Sequence, residues 1–173
     1  MPIEIRELVI KAVVITVSDA ASTGERKDTS GELLFRLLTE IEAEIVATQI
    51  LSDEPKPLET ALIEFAERDD VNLIVTTGGT GLGPRDNTPE ATLKVIEREA
   101  SGLAEAMRMA TLKHTPMAML SRGVCGIRSG TLIVNLPGSP KAVKESFAVI
   151  APVLRHALAL IAGHTRHNET TAC

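Results

Sequence analysis

A three-layer, doubly wound α/β fold is what the sequence predicts: a mostly parallel sheet with helices on both faces and one short antiparallel hairpin. Three features carry the prediction. Runs rich in β-branched residues alternate with amphipathic stretches, the pattern of repeated strand–helix units. The first run, Ala12-Val13-Val14-Ile15-Thr16-Val17, is apolar on both faces, as a strand covered from both sides must be. Polar or glycine-containing loops follow the strands, at the sheet edge where ligands of such folds bind.

In chain order, residues 8–17 form the first strand and the polar stretch 18–24 ends it as a loop. Thr29-Ser30-Gly31-Glu32 has capping-box spacing and opens a helix with Leu33, Leu34, Leu37, Leu38 and Ile41 on one face. Residues 44–51 read as a second strand, closed by Ser52-Asp53-Glu54-Pro55. Leu58, Ala61, Leu62, Phe65 and Ala66 then follow helical spacing, and 71–77 is a third strand that runs directly into glycines. Thr88 as cap, Pro89 and Glu90 open a helix expected to end at Ser101-Gly102, with another over 103–114. Short strands are expected at 117–120, 124–127 and 131–134, the last two turning through Arg128-Ser129-Gly130. Ser139-Pro140 repeats the cap-then-proline signal. The apolar stripe Val143, Phe147, Ile150, Leu154, Leu158 and Ile161 follows it as a helix kinked at Pro152. Without a repeat or linker, residues 1–173 make one domain, with 1–7 and 164–173 frayed at its ends.

Composition narrows the function. The 173 residues hold 18 Lys plus Arg against 23 Asp plus Glu, a net charge of −5, which speaks against binding a nucleic-acid backbone. Aromatic residues are 2% of the chain, three Phe without Tyr or Trp, so base-stacking platforms have little to be built from. Cys125 and Cys173 have neither disulfide-scaffold nor zinc-site spacing. With no signal peptide at the start and no window of about 20 apolar residues, a soluble cytoplasmic protein without membrane contact is expected.

The most informative stretch joins the third strand to the next helix: Thr76-Thr77-Gly78-Gly79-Thr80-Gly81-Leu82-Gly83-Pro84-Arg85-Asp86-Asn87-Thr88-Pro89. Its glycines allow a sharp turn that points backbone N–H groups at an anion. The helix starts at Thr88-Pro89 and Ser139-Pro140 offer further amides. It is no P-loop, lacking Gly-Lys-Ser/Thr, and no dinucleotide fingerprint, because Pro84 stands where the third glycine belongs.

Thr77-Gly78-Gly79-Thr80-Gly81, Arg85-Asp86 and Thr88-Pro89-Glu90-Ala91 together resemble the signature of the molybdopterin-binding enzymes of molybdenum cofactor synthesis. Two further stretches match in order: Thr16-Val17-Ser18-Asp19 with Ser22-Thr23-Gly24 and Asp28, and Asn135-Leu136-Pro137-Gly138-Ser139-Pro140. Within that family the chain is most similar to the molybdopterin adenylyltransferase branch, the type of the gephyrin G-domain. The resemblance implies adenylyl transfer from ATP to the terminal phosphate of molybdopterin, with pyrophosphate released and Mg²⁺ as cofactor. It also implies a homo-oligomer, a trimer, and contact with other enzymes of the pathway. A sister branch that binds molybdopterin or nucleotide, and a scaffold-type binding module, are the alternatives.

Such a reaction needs two polyanions held in line and their repulsion screened, not an activated side-chain nucleophile. By the resemblance, Asp53 and Asp86 are the catalytic residues and the Mg²⁺ ligands. Ser18, Asp19, Thr77, Gly78, Gly79, Thr80, Gly81, Pro137, Gly138 and Ser139 bind substrate. As isolated loop residues, Asp53 would instead cap the helix at Pro55 and Asp86 would pair with Arg85. Capping accounts for Asp28, and the methionines at 107, 109, 117 and 119 fill core or interface.

Overall fold

The computed structural model describes residues 8–164; Cys173 and the segments 1–7 and 165–173, where fraying was expected, lie outside the described residues. The elements run β1 (Lys11–Val17), α1 (Asp19–Ser22), α2 (Thr29–Glu40), β2 (Glu44–Leu51), α3 (Pro55–Ala66), β3 (Leu73–Thr77) and α4 (Thr88–Val95). They continue through β4 (Arg98–Glu99), α5 (Ser101–Thr111), a 3-10 turn at Pro116–Leu120, β5 (Cys125–Arg128), β6 (Thr131–Leu136) and α6 (Pro140–Ile161).

Among the described residues the strands form one sheet in the order β2-β1-β3-β6-β5-β4. The first four in that order pair in parallel, and β5 and β4 add antiparallel. Side chains alternate across a strand, so β1 supplies both cores. Ala12 and Val14 face Leu34, Leu38, Phe147 and Leu154 of α2 and α6, with Met107 of α5 on the same side. Val13 and Ile15 face Leu58 and Leu62 of α3 and Ala91 and Val95 of α4. That is the three-layer doubly wound arrangement. Among the described residues no helix is long and apolar enough to cross a membrane.

Several local expectations are corrected. The helix after the glycine loop stops at Val95, because Ile96 turns extended and Glu97 N donates to Ile127 O, giving β5 a further partner strand. Ser101 therefore begins α5 instead of ending α4. Residues 117–120 are not a strand: Thr115 accepts from Met117 N and Pro116 follows, so a capping residue and proline set a 3-10 turn. The cap of α2 is Asp28, as its capping reading had it, with Thr29 the first helical residue instead of the start of a capping box, and Asp28 accepts from Gly31 N. Its second oxygen takes the Thr16 hydroxyl at 2.6 Å, tying α2 to the end of β1. Met107 is core, whereas Met109, Met117 and Met119 stand exposed.

Strand order reverses between β1 and β3, since β2 lies on one side of β1 and every later strand on the other. The crevice beyond the carboxyl ends of those two strands is where such sheets bind ligands.

Candidate active site

Two turns of backbone build the crevice. Gly78 has φ +103° and Gly79 φ +64°, the left-handed region that favours glycine. A Cβ on Gly78 would lie 2.2 Å from Val17 O, and one on Gly79 2.4 Å from Thr88 Oγ1. Side chains are excluded there because β1 and α4 come this close.

Beneath the loop lies a buried polar network. Thr88 Oγ1 donates to Gly78 O at 2.9 Å and Thr92 Oγ1 to Thr88 O at 2.8 Å. Asn135 Nδ2 donates to Thr76 Oγ1 and Thr92 Oγ1, each at 3.0 Å, while Asn135 Oδ1 accepts from Val124 N at 3.2 Å. Thr76, Thr88, Thr92 and Asn135 are all buried, so each bond is made without competing water and each orphan would be costly. Thr88, expected as a helix cap, serves the loop instead, and Asn87 occupies the cap position without a side-chain bond. Asn135→Ala is expected to cost about 2–4 kcal/mol in chemical denaturation, because it removes the donor to the buried Thr76 and Thr92 hydroxyls and the acceptor of the Val124 amide. A loss below about 1 kcal/mol would show that the network closes without it.

The loops after β1 and β2 are clasped reciprocally. Asp19 N donates to Asp53 Oδ2 at 2.8 Å and Asp53 N donates to Asp19 Oδ1 at 3.0 Å. Arg85, from the glycine loop, closes the clasp with Nε and Nη2 on the Asp19 carboxylate at 2.6 and 3.0 Å, and Nη1 on Glu54 at 2.9 Å. The Arg85 hydrogen bonds hold the Asp19 carboxyl below its usual range. Both isolated-residue readings are thereby corrected. Asp53 does not cap α3, whose cap position is Glu54 without a side-chain bond. Asp86 does not pair with Arg85; its Oδ2 accepts from Gly83 N at 2.7 Å.

The crevice has two lobes, of about 510 and 450 Å³, that share Gly79, Asp86, Gly138 and Ser139. Thr80, Gly81 and Pro137 face the larger lobe, with Met107, Met117 and Leu120 as apolar wall. Ser18, Asp53, Thr77 and Gly78 face the smaller, with Arg26, Lys27 and Asp28. Of the residues expected to bind substrate, only Asp19 lines neither lobe. Thr77 Oγ1 donates to Pro137 O at 2.7 Å, joining the ends of β3 and β6, and Ser139 caps α6 by accepting from Ala142 N at 3.2 Å. The N-terminus of α6 thus opens where the lobes meet.

Burial raises the Asp53 carboxyl above its usual range, and the charges of Asp19 and Asp86 add to the rise against the Asp19 amide bond. The charge of Asp86 thus reaches Asp53, and both residues line the smaller lobe. Among the described residues no cluster of three or more His, Cys, Asp and Glu side chains could hold a metal ion. Asp53 and Asp86 both line the smaller lobe, and two carboxylates there suit Mg²⁺ nonetheless, since that ion is commonly held by one or two carboxylates together with substrate phosphates. Cys125 is buried and its thiol is pushed up to about 12, so it is no nucleophile.

Arg122, Thr88, Glu54 and Asn135 were not among the expected site residues. Arg122 had one signal: it is the only Asp, Glu, Lys or Arg in residues 113–127 after Lys113, an isolated charge in an otherwise uncharged stretch.

Comparison with known proteins bears on this geometry. Residues 13–156 match the family described as a probable molybdopterin binding domain. The chain is 40% identical over 153 residues to a molybdopterin adenylyltransferase of Helicobacter pylori, covering 87% of each chain. It is 45% identical over 149 residues to the molybdenum cofactor synthesis protein cinnamon of Drosophila melanogaster, covering 86% of this chain but only 25% of that much longer protein. Among solved structures it is similar to the molybdopterin biosynthesis enzyme MoaB of Thermus thermophilus. That likeness has 48% identity and a TM-score of 0.85, over 90% of this chain and 98% of that one.

Proposed function

This chain belongs to the molybdopterin-binding domain family of molybdenum cofactor biosynthesis, and from that premise we propose that it is a molybdopterin adenylyltransferase. An oxygen of the terminal phosphate of molybdopterin attacks the α-phosphorus of ATP. The bond to the bridging oxygen of the β-phosphate breaks, and pyrophosphate leaves with that electron pair.

The observation that carries the reading is the pair of lobes meeting at Gly79, Asp86, Gly138 and Ser139. Two substrates must meet at one bond, and the junction is where backbone amides, a helix N-terminus and the Asp86 carboxylate come together. The glycine loop and the start of α6 hold phosphate oxygens, which removes translational freedom from both reactants. The attacking phosphate is already ionised, so no side chain here needs to take its proton. Asp53 and Asp86 would hold Mg²⁺, which when bound supplies charge neutralisation to the facing phosphates. The Asp19–Arg85–Glu54 clasp keeps Asp53 aimed into the smaller lobe.

The test is to incubate the protein with molybdopterin, ATP and Mg²⁺ and to seek adenylyl-molybdopterin by mass spectrometry. Absence of product with authentic substrate rejects the reading. The second reading is a sister branch of the same fold that binds molybdopterin or nucleotide. Oligomeric state helps separate them. Met109, Leu112 and Met119, on and after α5, are exposed apolar side chains outside the lobes, available for self-association. A homotrimer is expected by light scattering. A monomer at micromolar concentration counts against the reading, and a hexamer shifts weight to the sister branch.

A further inference from the structure

Arg122 sits outside the glycine loop, just beyond the 3-10 turn, yet makes three bonds to it and a fourth to the helix that follows. Its Nε donates to Gly81 O at 2.7 Å and its Nη2 to Asp86 O at 2.5 Å. Its Nη1 pairs with Glu90 in the first turn of α4, and its backbone N donates to Thr80 O at 2.9 Å. The bonds to Gly81 and Asp86 span the part of the loop that has no strand or helix of its own. Within that span Asp86 has its own side chain bound to Gly83 N, so the carboxylate moves with the segment that Arg122 grips.

We propose that Arg122 is the positioning residue of the reaction: its guanidinium buckles residues 81–86 and so fixes where the Asp86 carboxylate points at the junction of the lobes. This rests on the adenylyltransferase reading. The planar fork matters, because three acceptors in different directions are reached at once by Nε, Nη1 and Nη2. A lysine keeps the charge but has one nitrogen for the three. Arg122 itself lines neither cavity and touches the lobe wall only through Thr80, Gly81 and Asp86, so its loss should weigh on transfer more than on substrate binding.

The experiment compares wild type, Arg122→Ala and Arg122→Lys in adenylyl transfer, melting and amide hydrogen exchange over residues 80–87. The expected result for both variants is a kcat lower by about tenfold or more, with KM for molybdopterin and ATP within about threefold. Faster exchange of the loop amides should accompany it. Wild-type kcat in Arg122→Lys would overturn the proposal, because charge alone would then suffice. So would an Arg122→Ala whose kcat per folded molecule and loop exchange match wild type. Should Arg122→Ala not fold, Arg122→Lys decides by the same measures. If wild type makes no product while the variants' loop exchanges faster, the grip stands and the adenylyltransferase reading is what fails.

Discussion

Asp86→Asn is expected to give a folded protein with at least about a hundredfold less adenylyl transfer, on the order of 3 kcal/mol of transition-state stabilisation. The isosteric change isolates charge from shape. Asp86 Oδ2 accepts from Gly83 N at 2.7 Å, and the carbonyl oxygen of Asn accepts the same bond. The closeness of that oxygen to Gly81 and Gly83, where Cβ atoms would lie 2.9 and 2.8 Å from it, leaves little room for a larger or displaced group. The loop should therefore keep its path, and the Arg122 bond to the Asp86 carbonyl is untouched. What vanishes is a negative charge at the point where both lobes converge. Melting temperature should change by no more than about 2–4 °C, what a loss of up to about 1 kcal/mol produces in a domain of this size. Asp86→Ala should be no more active and less stable, since it also orphans the Gly83 amide. A normal rate in Asp86→Asn with a lowered melting point would make Asp86 a turn fastener and no part of the chemistry.

The sheet was legible because it is written in short-range pattern. Runs such as Ala12-Val13-Val14-Ile15 and Leu73-Ile74-Val75 are apolar on both faces, and only a doubly covered strand needs that. The errors fell where tertiary pairing overrode local signal. Nothing in Val95-Ile96-Glu97-Arg98 forbids helix, yet β5 needed a partner and drew β4 out of it. Thr115-Pro116 carried a cap-then-proline signal that the apolar Met117-Ala118-Met119-Leu120 obscured.

The site was legible by residue and much less by connection. Glycines and proline-led helix starts mark a phosphate-holding turn because few other residues permit that backbone. Pairing between distant loops leaves no such mark. Arg85 lies 66 residues from its partner Asp19, and Asn135 lies 43 and 59 residues from the hydroxyls it binds. Sequence proximity made Asp86 the natural partner of Arg85, whereas geometry gave Arg85 to the neighbouring loops and left the Asp86 carboxylate with the glycine loop.

Asp53→Asn is expected to abolish transfer, by about a hundredfold or more, while leaving the ligand-free protein as stable as wild type or more so at neutral pH. Burial is the largest influence on Asp53 and lifts its carboxyl above the usual range, with Asp19 and Asp86 repelling it further. A carboxyl raised on folding contributes stability that is present below its unfolded value and lost as pH climbs through its folded one. At neutral pH the ionised Asp53 thus works against the fold. Asn removes that burden yet still accepts the Asp19 amide, and the Asp53 N–H bond back to Asp19 Oδ1 is main-chain and survives. The stability difference should shrink on acidification, as wild-type Asp53 takes up its proton. Melting curves from acid to neutral pH, paired with initial rates, check both halves. Wild type should also gain melting temperature from Mg²⁺ with ATP, and the variant should gain less. A variant that melts lower than wild type yet transfers normally would place Asp53 in the Asp19 clasp alone. A carboxylate kept at a cost to folding is what a site selected for charge requires.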